Sequence, residues 1–509
     1  MRNDTTRQSV VFKDLFGKPV VARFDQPDSS ADGGAVLLKA CDERLGLTDA
    51  LARCLSDGRQ QSKVEHSFHD LVRQRVFGIA CGYEDCNDAA RVGDDPVHKL
   101  LVGRDPVEGA ALASQSTLSR FENALGPKSL MRMGLALTDR VIARHRKRLR
   151  GRVKRITVEL DPTDDPTHGA QQLSFFNGHY DTWCYLPTAG FIQFDDEPEQ
   201  YLFAYVLRPG NANAKRGAIG ILRRVLGRLR RAFPKAKVLV RLDGGFAGPE
   251  MFEFLEAERV EYVVAMAKNA VLKSFAEPLM KQVRRMSKKS GETEHLYGEC
   301  RYAAGSWNRK RRVIFKAEVV RLGEREPKDN ARFVVTNLRR VPQRVYEVVY
   351  CQRANIENRI KELLYGLAID RTSCTSFWAN QMRVMLTAAA YVLMQELRLC
   401  AAGTTCARAS HDASRALAEA RRLVRAFGTA CRAASTRFCT KALRMVPRSA
   451  RARSGSQLST ASLPCSSPPG APGAGRARRV GPTNRLPGEN RVTSRRLDPI
   501  DLVSAEFIT

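Results

Sequence analysis

No uninterrupted apolar run in this chain approaches the roughly 18 residues needed to span a bilayer. The opening stretch, MRNDTTRQSVVFKDLF, is polar and lacks the apolar segment of a secretory leader. Together these absences predict a soluble intracellular protein with no membrane role. No CxxC pair occurs among the 13 cysteines. Cys81 and Cys86, with His66 and His69 upstream, lack the close pairing on both sides that structural zinc uses. Free thiols in a reducing compartment are the expectation. Acidic residues are in deficit: 54 Asp and Glu face 84 Lys and Arg, a formal net charge of +30. So large an excess calls for an anionic partner. Because it recurs in many segments and is not confined to one tail, nucleic acid is expected before a membrane surface.

The 509 residues exceed one ordinary domain and suggest three or four units at about 150 residues each. A hydrophobic share of 43% is enough for real cores. Residues 1–150 read as mostly helical, with apolar positions three and four apart in GAVLLKACDERLGLTDALARCL and HSFHDLVRQRVFGIACGY. In SQSTLSRFENAL, Ser116 or Thr117 caps a helix with Glu122 in its early turns. Arg120 on that helix suits a DNA groove, or the helix is an ordinary amphipathic one. Residues 140–155 carry nine Lys or Arg and no acid, which fits either a phosphate contact or a solvated linker.

ITVELD, residues 156–161, is a β-branched run ending in Asp161, and the polar patch after it holds Asp164, Asp165 and His168. WCYLPTAGFIQF and YLFAYVLRPG read as strands, and KRGAIGILRRVLGRLRRAF as a basic amphipathic helix. KVLVRLD is a second β-branched run, ending in Asp243; Pro249 then opens a helix and EYVVAMAK forms a strand. This alternation predicts an α/β core. Residues 270–340 read as a β-rich insertion with polar basic turns such as RRMSKKSG. ANIENRIKELLYGL follows as a helix bearing Glu357, and TSFWANQMRVMLTAAAYVLMQELRL as an apolar core helix. Beyond residue 402 the composition shifts. Residues 401–509 hold 18 Arg but one Lys and six acids, which predicts a largely disordered tail.

Two strand ends and one helix thus offer three carboxylates, Asp161, Asp243 and Glu357. Such a set matches two-metal phosphoryl transfer. Hard oxygen ligands hold two divalent ions, Mg²⁺ or Mn²⁺, which stabilise the attacking and the leaving oxygens. Aspartates at strand ends are also common without any such role.

The motifs LDPTDDPTHG around Asp161, RLDGGFA around Asp243 and YCQRANIENRIKEL around Glu357 occur in this order. Tyr350, Arg353 and Glu357 fit a Y-x2-R-x3-E spacing, and TLSRFEN, RFVVTNL and DRTSCTSFWANQMRVMLTAAAYVL support it. From about residue 25 to about 408 the chain resembles the DDE transposases of bacterial insertion sequences. Within them it resembles the insertion-sequence family numbered thirteen-eighty, of the YREK-signature group.

That resemblance implies a ribonuclease H-like mixed-sheet core. It implies a helical N-terminal DNA-binding region with a basic linker over 1–150 and core segments over 151–269 and 341–402. A β-rich insertion over 270–340 and an Arg-rich low-complexity tail over 403–509 complete the layout. Asp161, Asp243 and Glu357 are implied as catalytic and metal-holding. Double-stranded DNA is implied as partner, both terminal inverted repeats and target, bound by a homodimer near the nucleoid in cut-and-paste transposition. Arg353 is implied to fork onto a phosphate and Tyr350 to hydrogen-bond one, or else to form a salt bridge and a half-buried ring. Trp307, in the insertion, either stacks on a base or packs a strand. The signature expects Lys seven residues after the Glu, where Leu364 stands; Lys361, one turn after Glu357, is the substitute. A DNA-binding regulator, a nuclease on the same core, or a defective remnant with a frameshifted tail are the rival readings.

Overall fold

The computed structural model describes the backbone of Ser9–Phe12 and Val20–Arg23, and residues 30–323 and 325–402 in full. The Arg-rich tail and its suspected frameshift lie outside the described residues. Strands β1 (Ser9–Phe12) and β2 (Val20–Arg23) pair antiparallel, Val10 opposite Ala22. The helical reading of 1–150 missed this hairpin, because four-residue β-branched runs are too short to show a period.

Seven helices follow: α1 Val36–Leu45, α2 Leu47–Ala52, α3 Phe68–Cys81, α4 Ala89–Val92, α5 Pro96–Val102, α6 Gln115–Asn123 and α7 Pro127–Arg148. Side-chain caps fix several starts. Ser67 Oγ accepts from the Asp70 amide at 3.1 Å, while Asp70 accepts from the Ser67 amide at 3.3 Å. Asp95 caps α5 ahead of Pro96. Helix α6 starts earlier than expected, at the extended Ser114 (φ −69°, ψ 164°), so neither Ser116 nor Thr117 is its cap. Glu122 consequently falls in the last turn, where it is buried and accepts from Arg75 Nε at 2.6 Å.

The central sheet contains nine strands: β3 Arg155–Pro162, β7 Thr188–Phe194, β8 Tyr201–Val206, β9 Lys237–Leu242, β10 Glu261–Met266, β11 Glu294–Tyr302, β12 Arg311–Val320, β13 Lys328–Asp329 and β14 Arg332–Thr336. A separate small sheet, β4 (Asp165–Pro166), β5 (Phe175–Asn177) and β6 (Thr182–Tyr185), interrupts the chain just after Asp161. The main order is β11-β12-β14-β10-β9-β3-β7-β8, with β13 on β12. Strands β3, β9 and β10 run parallel, while β7 and β8 add antiparallel on the other side of β3. Helix α8 (Ala218–Ala232) leads from β8 into β9, and α9 (Pro249–Ala257) from β9 into β10. Covered on both faces, ITVELD and KVLVRLD are buried almost throughout, which is why they read as near-continuous apolar runs.

The stretch 270–340 differs from its β-rich expectation. It opens with the 21-residue helix α10 (Ala270–Ser290), and RRMSKKSG, read as a turn, is the end of that helix and its left-handed cap Gly291 (φ 75°). The strands that follow extend the core sheet: β14 pairs with β10, Val264 opposite Val335.

After the short α11 (Pro342–Arg344) come α12 (Ala354–Leu367) and α13 (Phe377–Ala401). Among the described residues α13 alone is long and apolar enough to cross a bilayer, and 72% of its most apolar window is buried inside the fold. The sequence reading, which looked for an unbroken apolar run, had not singled it out on that ground. Its polar side chains serve the sheet edge. Gln381 and Gln395 accept from the Leu207 and Leu202 amides, at 2.7 and 3.1 Å, beside the outermost strand β8. Helices α1, α3, α6 and α7 pack on α13, so one apolar cluster runs from Leu38 to Met394.

His145 on α7 is buried against the rings of Phe194 (4.8 Å) and Tyr201 (3.9 Å). Burial, aided by Arg148 and Arg144, lowers its pKa to about 3. A depressed histidine contributes stability above its unfolded pKa of about 6.5 and loses it as pH falls from there towards 3. His145→Gln should therefore flatten the acid side of the stability curve, by at most about 1.4 kcal/mol per pH unit across that window. Urea unfolding between pH 7 and pH 4 measures this, and parallel curves for both proteins would refute it.

Candidate active site

Asp161 and Asp243 stand at matching ends of adjacent parallel strands. Glu159 of β3 is in register with Arg241 of β9, and each aspartate lies two residues further on. On a strand, residues two apart share a face. Asp161 is 7% exposed. Asp243 ends its strand in a tight turn, its Oδ1 accepting from the Gly245 amide at 2.9 Å. A Cβ at Gly245 would lie 2.9 Å from Ala214 Cβ and 3.2 Å from Asp243 Oδ1, so the second glycine of RLDGGFA leaves room for the turn.

The third acid arrives on an irregular helix. A π-helical turn over Val345–Tyr350 gives way to a 3₁₀ turn over Cys351–Arg353, and only then does α12 begin. The regular α-helix that carries Glu357 therefore begins only after Tyr350 and Arg353. At the junction Arg241 Nη1 donates to the Val349 carbonyl at 2.6 Å, so a sheet side chain grips the backbone where the winding changes. Tyr350 is half-buried with its ring 5.5 Å from that of Tyr346. Glu357 lies exposed in the first turn of α12, and Lys361 is exposed one turn later. Leu364 packs against the core; of the cations after Glu357 on this helix, Arg359 pairs with Glu199 and Glu362, and Lys361 is the exposed one. Behind them Glu362 is buried, accepting from Tyr391 Oη at 2.6 Å and pairing with Arg398 at 2.8 Å, which fastens α12 to α13.

Arg353 joins the two aspartates. Its Nη2 donates to Asp161 Oδ1 and lies 3.7 Å from Asp243 Oδ2. Its Nε is buried without a hydrogen-bond partner. Burial pushes the Asp161 carboxyl up to about 7; Arg353 opposes this, and Asp243, Glu159 and Glu357 add to it. The Asp161 carboxyl thus feels both other sequence-selected acids, Asp243 more strongly than Glu357. Asp161 and Asp243 are hard oxygen donors that already draw a guanidinium between them, which fits a divalent cation.

Sequence reasoning missed the layer beneath. Glu159 and Arg241 form a fully buried ion pair, and Gln200 also donates to Glu159. The signal was in the chain: VELD and VRLD each place a charge two residues before the aspartate, inside an apolar run, and the charges are opposite.

The other selected residues lie elsewhere. Arg120 is on the exposed side of α6, its Nη2 3.4 Å from Thr117 Oγ1. Trp307 is half-buried, its ring 5.0 Å from Phe252 and 5.5 Å from Tyr302 with the Arg311 guanidinium 5.3 Å over it. His168 is exposed. Cys81 neighbours neither Cys86 nor the upstream histidines in a ligand group; it lies near Asp32 and His98, within 4.8 Å. There the Asp32 carboxylate already bonds Tyr83 Oη (2.9 Å) and His98 Nε2 (3.0 Å), a satisfied network.

A family model described as transposase DDE domain group 1 matches residues 12–417. The chain belongs to this DDE transposase family. No curated protein matches it. As a DDE transposase it has DNA as its partner, and its family generally uses a divalent metal.

Removing one member of the buried pair leaves the other uncompensated. Arg241→Met should destabilise this transposase by about 3–5 kcal/mol in urea unfolding. A loss below 1 kcal/mol would show that Gln200 alone satisfies Glu159.

Proposed function

We propose that this DDE transposase cuts and joins DNA at the ends of an insertion sequence, with Asp161, Asp243 and Glu357 as its catalytic acids. The observation that carries this reading is the placement of Asp161 and Asp243 at matching ends of adjacent parallel strands, bridged by Arg353, with Glu357 one turn beyond that arginine. The strand order β8-β7-β3-β9-β10, antiparallel on one side of β3 and parallel on the other, supports a ribonuclease H-like core. In that core Asp161 sits on the first strand and Asp243 after the fourth. The Y-x2-R-x3-E spacing supports the insertion-sequence family numbered thirteen-eighty. The layout proposed with it is a DNA-binding region over 1–150, core segments over 151–269 and 341–402, and an insertion over 270–340.

The three acids would hold two Mg²⁺ or Mn²⁺ ions, which supply Lewis-acid stabilisation of the attacking and leaving oxygens. In the first step water attacks the phosphodiester at the end of the element and frees a 3′-hydroxyl. In the second that hydroxyl attacks a target strand, displacing a new 3′-oxygen. Arg353 keeps the aspartates together, and its planar fork suits a phosphate oxygen next to them. Tyr350 and Lys361 flank the same place and are proposed as DNA contacts; Arg120 is proposed to contact DNA from α6. Trp307 is left out of this set, because its ring is already engaged by Phe252, Tyr302 and Arg311. Binding to both terminal inverted repeats, and hence action as a dimer, completes the proposal.

The test uses DNA carrying the gene's own flanking ends, Mg²⁺ and a target plasmid. Wild-type protein should release the ends and join them. Asp161→Asn, Asp243→Asn and Glu357→Gln should each abolish both steps while binding the same DNA within about twofold. Cleavage that persists in any of the three would remove that residue from the site, and cleavage without joining would make the protein a nuclease.

A further inference from the structure

Far from the acids, at the opposite end of the same strands, the chain turns from α7 into β3. Arg150 and Gly151 both take left-handed conformations there (φ 51° and 66°), reversing the chain at Leu149–Arg152. This turn lies beside the connection from α8 to β9, and the two enclose an open cleft of about 880 Å³. Arg146, Lys147, Arg150, Arg152, Lys154 and Lys235 line it, and no acidic residue does.

All six cations are exposed, and none forms an ion pair with a described residue. Their neighbours behave differently: Arg148 pairs with Glu197 at 2.8 Å and Arg155 with Glu261 at 3.2 Å. The negative end of α7 accounts for cations in its last turn, Arg146 and Lys147. It does not account for Arg152 and Lys154, which follow the helix, nor for Lys235, which comes from another connection. Six like charges gathered in one cleft repel each other unless a polyanion lies against them.

We infer that this cleft binds the phosphate backbone of duplex DNA well away from the cut. The inference rests on the reading that the acids cut DNA, and it adds a second contact to that site. Six residues of β3 separate Arg155 from Asp161, about 20 Å at roughly 3.3 Å per residue. Duplex DNA rises about 3.4 Å per base pair, so about six base pairs span the gap. The cleft therefore holds flanking duplex and not the scissile phosphate. The sequence supports an extended partner over a small anion, since the cations come from two turns and face one open channel.

The experiment compares full-length wild type with Arg152→Glu/Lys154→Glu/Lys235→Glu and with the milder triple Gln variant. Binding of a fluorescent 30-base-pair duplex of arbitrary sequence is followed from 50 to 300 mM salt. The Glu triple should bind at least about tenfold more weakly at 150 mM, with the slope of log affinity against log salt reduced by about 2–3, and the Gln triple should move in the same direction. Unchanged affinity and slope in the Glu triple would overturn the proposal. So would loss of binding to vesicles of anionic lipid with duplex binding untouched, which would make the cleft a membrane contact. The acids are judged separately on the Asp161→Asn protein. Should it still cut DNA, the assignment of the acids fails while the salt slope continues to report on the cleft.

Discussion

The buried ion pair between Glu159 and Arg241 is the interaction on which the arrangement of the acids depends. It joins two parallel strands in register, at positions where each strand is otherwise apolar. A pair this deep contributes little net stability, because desolvating both charges offsets their attraction. What it contributes is alignment. Side chains alternate along a strand, so a slip of one residue between β3 and β9 would turn one aspartate away from the other. The same slip would bury Glu159 and Arg241 against apolar partners at a cost of several kcal/mol. The register that pairs the inner charges is thus the one that sets Asp161 beside Asp243.

Arg241 has a second task, and it links sheet to helix. Its donation to the Val349 carbonyl sits where a π-helical turn passes into a 3₁₀ turn. Both windings leave the regular α-helical bond pattern and therefore need support from outside the helix. Arg353 follows directly and reaches back to the two aspartates. The acids are held by cations from two sides: Arg241 below, through Glu159, and Arg353 above. Even with that charge, burial and mutual repulsion hold the Asp161 carboxyl above its ordinary value. Glu362, tied to Tyr391 and Arg398, gives α12 its anchor on α13, so Glu357 is presented by a helix that does not depend on the site for its position.

The strands that carry the two aspartates were legible in the sequence, while the ion pair that aligns them was not. ITVELD and KVLVRLD announce buried strands because both faces are covered, and Pro249 marks a helix start by its fixed φ. The fold could not be read where two elements look alike locally. The segment AVLKSFAEPLMKQVRRMSKKS forms α10 despite Pro278 and a basic end that mimics a turn. The π turn around Val349 is gripped by a side chain 108 positions earlier in the chain, which no local pattern contains. Trp307 shows the same limit. From its place in the chain it suited base stacking or strand packing alike, and the side chains around its ring come from α9 and the adjoining strands.

The sheet also explains why acids and free cations end up apart. Parallel strands share one direction, so residues that close β3 and β9 meet at one end, and residues that precede those strands meet at the other. Asp161 and Asp243 are of the first kind; Lys154 and Lys235 are of the second. A single polyanion near the molecule is drawn towards the cationic end and repelled from the acidic one. Under the proposed function that polarity has a use. DNA would be gripped at a distance by charge alone, while the acid end accepts a phosphate only when divalent cations neutralise its carboxylates. Grip and cutting would then respond differently to conditions, the first to salt and the second to metal, although one sheet carries both.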